Sequence, residues 1–138
     1  MQPKLKKLLV LASLLVTSSL QAQEAGPLPG TWMIQAIKGK VILADSNPTL
    51  QFNKNGQLAA TAGCNNMSSG YELDEKNLNI GMVMATRKMC SESLMEQETR
   101  LMQVLGADIQ YSIDGTTLVP SNANGDKLLS AVKAMDTD

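Results

Sequence analysis

The sequence predicts an α+β domain: an antiparallel sheet of seven to eight short strands, curled as an open, barrel-like meander, packed on one main helix. Three observations carry this. Short runs of alternating apolar and polar residues are separated by hairpin dipeptides such as Asn55-Gly56 and Asp114-Gly115. Segment 93–106 alone has the spacing of an amphipathic helix. Turns this tight join antiparallel neighbours, because parallel strands need long crossovers.

The elements follow in order. In 30–40, GTWMIQAIKGK, Trp32, Ile34 and Ala36 alternate with Met33, Gln35 and Ile37, which predicts a first strand with one buried face. Trp32, the single tryptophan, is expected to fill the core. Residues 45–48, DSNP, read as a loop. TLQF and QLAATA flank NKNG; YEL and LNI flank DEKN, a turn of about four residues; IQYSI and TTLVP flank Asp114-Gly115. Asn124-Gly125 precedes a last strand around 127–132.

The helix is expected to start at Ser93, with Glu96 three residues on as a capping box, and to end at Gly106 in the left-handed cap. Leu94, Leu101 and Leu105 share one side, and Glu98 interrupts that stripe, which turns the expected buried face toward Met102. Aromatics are scarce beside eight methionines after residue 30, so methionine is expected to fill the core.

Residues 1–22 carry Lys4, Lys6 and Lys7, then a short apolar run, then small and polar residues, the order of a secretory signal peptide. The organisation expected is therefore a signal peptide over 1–22, a lead-in over 23–29 and one domain over 30–134, in the periplasm or secreted. The exit holds no cysteine to carry a lipid anchor. From residue 23 on, nine Lys and Arg face thirteen Asp and Glu, a net charge of −4, which argues against nucleic acid. Histidine is absent, which removes Ser-His-Asp and Cys-His catalysis and histidine-based zinc sites. No metal or cofactor is expected.

Cys64 and Cys90 are the only cysteines. In an oxidising compartment two cysteines pair, so a Cys64–Cys90 disulfide is expected, with two buried free thiols as the alternative. That staple would bring Asn65 and Asn66 beside Thr86, Arg87 and Lys88 as a small polar, cationic patch. Asn65 would either orient a ligand or bond its own turn, and Arg87 would either clamp an anion or face solvent. The carboxylates Asp74, Glu75, Glu96 and Glu98 show no facing pair of the kind glycoside hydrolysis needs.

Taken in order, GTWMIQAIKGK, PTLQFNKNGQLAATAGCNNMSSGYELDEKNLNIG, MATRKMCSESLMEQETRLMQVL and YSIDGTTLVP resemble the META domain family in its HslJ-like branch, over about residues 29–133. The family often has an aromatic after Gly-Cys-Asn, where this chain has Asn66-Met67. The resemblance implies an envelope protein tied to heat stress and novobiocin tolerance, with a sheet curled around a helix and no catalytic activity. Its partner would be an envelope protein or an apolar ligand. A likeness to a lipid-binding pilotin implies an alternative, an apolar-ligand chaperone with a cavity under Met95, Met102 and Leu105. A small hydrolase is the third reading.

Overall fold

A computed structural model describes residues 28–135; the expected signal peptide and most of the lead-in lie outside them. The elements are β1 (Gly30–Ile37), β2 (Lys40–Val41), β3 (Thr49–Phe52), β4 (Gln57–Thr61), β5 (Asn66–Asp74), β6 (Asn77–Ile80), β7 (Met84–Ala85), α1 (Glu92–Leu105), β8 (Ile109–Asp114), β9 (Thr117–Ser121) and β10 (Leu129–Lys133). All strand pairs are antiparallel, as the turn chemistry requires. The curled sheet is closed rather than open. Eight strands form a ring in the order β1-β3-β4-β5-β6-β8-β9-β10, and β10 returns to pair with β1 from Trp32↔Lys133 to Ile37↔Leu129. The short β2 and β7 lie off the ring on β1 and β5. The β6–β8 seam is short, joined through Asn77↔Gln110 and Leu78↔Ile109.

The turns follow from local chemistry. Asn53–Gly56 joins β3 to β4, with Asn53 N–H donating to the Gln57 carbonyl. DEKN is tighter than its expected four residues: Asp74 pairs with Asn77, leaving Glu75 and Lys76 to turn, and Glu75 takes a φ of 53°. At Asp114-Gly115 the loop residues are Gly115 and Thr116, because Asp114 still pairs with Thr117. Gly115 supplies the positive φ of 60° that this turn needs. Asn124-Gly125 forms a small loop closed by the Ser121↔Lys127 bridge, and the last strand starts two residues later than expected.

A β-bulge between Ile34 and Ala36 breaks the alternation of β1. Trp32 and Ile34 face the core as expected, but the extra residue then brings Ile37 inward instead of Ala36. Trp32 is fully buried, and its indole N–H donates to the Leu28 carbonyl at 2.8 Å. Leu28 is itself fully buried, so the core begins inside the stretch expected as a lead-in. Phe52 meets Tyr71 edge to face at 5.1 Å, and Lys133 lies 5.5 Å from the Trp32 ring centroid. Trp32, Ile34, Leu50, Phe52, Leu58 and Leu118 belong to one continuous core, as a narrow barrel requires.

The helix starts two residues earlier than the Ser93 box suggests. Ser91 is the N-cap, and its hydroxyl accepts from the Leu94 N–H. Ser93 sits inside the first turn. Gly106 ends the helix with right-handed angles rather than the left-handed cap, and its N–H donates to the Met102 carbonyl. We expect Ser91→Ala to lower stability by about 1 kcal/mol in urea unfolding, and Ser93→Ala to change it little. The buried face is Gln97, Leu101, Val104 and Leu105, with Leu94 and Met102 only half-buried. Leu101, Val104 and Leu105 on this face belong to the continuous core.

Methionine does not fill that core. Met67 is buried, but Met33, Met82, Met84, Met89 and Met135 are exposed. Leucine, isoleucine and alanine on the inward strand positions occupy the space instead.

Candidate functional site

Helix α1 meets the barrel through two buried polar hubs, one on Gln97 and one on Asn65, which engages the neighbouring helix residue Glu98. Gln97 is fully buried. Its Oε1 accepts from the Leu43 N–H at 2.8 Å, and its Nε2 donates to the Ala62 carbonyl at 2.8 Å and Ser46 Oγ at 3.0 Å. One side chain thereby ties the loop after β2, the end of β4 and the helix together. A buried amide is tolerated because its partners are all present.

The second hub is Asn65, also buried. Its Nδ2 donates to Glu98 Oε1 at 2.8 Å and to the Lys88 carbonyl at 3.2 Å. Its Oδ1 accepts from the Lys88 N–H at 2.6 Å and from Thr86 Oγ1 at 2.9 Å. Its backbone N–H donates to Glu98 Oε2 at 2.8 Å. Asn65 therefore does neither of the things expected of it. It does not bond its own turn, and its amide has no capacity left for a ligand. Thr86 is committed in the same way, since its hydroxyl also accepts from the Asn66 N–H at 3.0 Å.

Cys64 and Cys90 are joined in a disulfide with Cα atoms 6.1 Å apart. Gly63 enters this corner with a φ of +109°, and a Cβ there would stand 2.8 Å from the Ser46 carbonyl oxygen, so only glycine fits. The staple and the Asn65 hub place Asn65, Asn66 and Thr86 in contact, with Arg87 next to Thr86 in the chain. They divide by burial: Asn65 is inside, while Asn66, Thr86 and Arg87 reach the surface.

A shallow open groove of about 220 Å³ lies elsewhere, at the β6–β8 seam, lined by Asp74, Asn77, Asn79, Asp108, Gln110 and Ala123 among others. Among the described residues no three His, Cys, Asp or Glu side chains gather as metal ligands. Glu98, one of the carboxylates weighed for acid–base chemistry, is engaged with Asn65. No helix among the described residues is long and apolar enough to cross a membrane.

Tyr71 and Tyr111 have their acidity displaced. Burial pushes the Tyr71 phenol up, and Tyr111 beside it adds to this; burial alone raises Tyr111. Tyr71 Oη also donates to the Asn53 carbonyl at 2.6 Å, a bond only the neutral phenol can make. A raised folded pKa means the protein holds its protons longer than the unfolded chain does. The stabilisation is whole below a pH of about 10 and is lost as pH rises through the folded values. An ultraviolet titration is expected to show both phenolates forming above the ordinary tyrosine midpoint, followed by alkaline unfolding.

The model of the META domain family matches residues 26–135, the whole barrel and its helix. The chain belongs to the META domain family. The match begins just before Leu28, where the core of this META domain begins. None of the curated proteins matches the sequence. Solved structures share the fold at low identity. An NMR structure aligns with a TM-score of 0.64 at 21% identity, covering 79% of this chain and 92% of that one. An NMR structure of a protein from Burkholderia xenovorans gives 0.63 at 17%, covering 77% and 82%. The crystal structure of a DUF4847 family protein from Bacteroides vulgatus gives 0.57 at 13%, covering 75% and 92%.

Sequence reasoning missed Gln97 and the Asn65–Glu98 pair. A signal was present for the first: Gln97 is the polar member of a stripe with Leu101, Val104 and Leu105 at helical spacing. Glu98, the residue singled out as interrupting the apolar face, instead reaches sideways to Asn65.

Proposed function

We propose that this META domain is an exported, non-catalytic binding domain of the periplasm or the secreted space, with a role in keeping the cell envelope intact under stress. The observation that carries the reading is the saturation of the Cys64–Cys90 corner. The buried Asn65 amide spends its hydrogen bonds on Thr86, Lys88 and Glu98, which suits a rigid platform and not a reacting site that must offer free groups to a substrate. The leader-like residues 1–22 and a paired, solely available couple of cysteines support export. The exposed methionines Met82, Met84 and Met89 favour an envelope partner engaged at the surface over an apolar ligand held inside.

Fractionation and survival test this. The chain should be recovered outside the cytoplasm, cut near residue 22. A strain lacking it should survive heat or novobiocin less well and be restored by the exported chain but not by a leaderless one. Recovery in the cytoplasm, or full rescue by the leaderless form, would overturn the proposal.

A further inference from the structure

Segment 81–90, between β6 and α1, exposes more apolar surface than the fold explains. Met82, Met84 and Met89 are 90%, 71% and 89% exposed. Between Met84 and Met89 lie Arg87 and Lys88, both exposed. No acid occurs from Lys76 to Ser91, although the chain as a whole is acidic.

This exposure is built in. Met84 pairs with Ser68 and Ala85 with Met67 on the barrel wall. Thr86 N–H donates to the Asn66 carbonyl at 3.0 Å, the Asn65 amide holds both backbone groups of Lys88, and Cys90 is bonded to Cys64. Val83 packs against the core while its neighbours Met82 and Met84 face solvent, the alternation of an extended chain. The backbone is thus tied inward along its length, and the thioethers and cations are held outward in advance of any contact, which lowers the ordering cost of binding.

We propose that this strip docks the domain onto an anionic lipid surface, with the methionines entering the interface and Arg87 and Lys88 meeting the headgroups. Charge complementarity selects that occupant: flexible apolar side chains beside cations match an anionic headgroup layer over acyl chains. The inference rests on reading the chain as an exported binding domain, and it names the partner.

The test uses protein processed and purified from its own host. It should float with vesicles of phosphatidylethanolamine and phosphatidylglycerol, not with phosphatidylcholine vesicles, and added salt should weaken binding. R87Q and K88Q should each cut the partition about fivefold, and M82S/M84S/M89S should abolish it while the near-ultraviolet signal of Trp32 is retained. Equal binding to both vesicle types, or variants that bind like the parent, would overturn the lipid assignment. So would cross-linking from this strip to a protein with no vesicle binding. If vesicles are not bound yet the strip variants fail to restore stress survival, the lipid assignment falls and the binding reading stands. If vesicle binding behaves as expected but the strain lacking the chain survives stress normally, the stress role falls and the docking strip stands.

Discussion

Asn65→Asp is expected to cost about 4 kcal/mol of stability at neutral pH, read by urea unfolding. The substitution keeps the shape of the side chain and reverses half of its chemistry. Asparagine donates through Nδ2 to Glu98 Oε1 and the Lys88 carbonyl. An ionised carboxylate would instead place negative oxygen against both acceptors, in a position 1% exposed. The Lys88 N–H and Thr86 Oγ1 would still donate to the other oxygen, so the fold has reason to persist. The pH dependence follows. Burial and the facing Glu98 carboxyl raise the new group's folded pKa above its unfolded value of about 3.9. The folded state then binds more protons than the unfolded one, so the variant's deficit relative to the parent shrinks as pH falls toward 4 and grows as it rises. A deficit that does not change with pH would show that the corner does not hold the side chain as described.

The second large effect is expected from removing the staple. Cys64 and Cys90 close a loop with a sequence separation of 26. Constraining the unfolded chain over that length is worth about 3.5 kcal/mol in the chain-entropy account. For a domain of this size that corresponds to a fall in Tm of about 15 °C. Cys64→Ala with Cys90→Ala should show it in a thermal melt, with amide exchange rising first in 81–90. A fall of less than about 3 °C would mean that the Asn65 hub and β7 hold the segment without the disulfide.

What could be read from the chain was mostly local. Asp114-Gly115 and Asn55-Gly56 marked their hairpins because turn conformation is set by a few adjacent residues. The Cys64–Cys90 pair was legible from the count of two cysteines together with the expectation of export. The closure of the ring was not legible: β1 and β10 pair across about a hundred residues, and neither strand carries a mark of its partner. The bulge in β1 was hidden for a related reason, since it serves a neighbour far along the chain. Methionine misled because composition does not say which face a residue occupies. Met82 and Met84 alternate with Val83 as an ordinary strand would, and their register puts sulfur on the outside. In the candidate site, the inward rotation of Asn65 was not legible, because it depends on Glu98, a helix residue that in the sequence only interrupts an apolar stripe.

The pairing of β1 with β10 also dictates when the molecule can finish folding. β1 and β10 stand at opposite limits of the barrel sequence, so the last stave is missing until the segment through residue 133 has been made. A nascent chain stopped before residue 129 has an open edge where β10 belongs and leaves one side of the Trp32 strand without its neighbour. Such a barrel stays open until β10 arrives, and then closes by joining its first strand to its last.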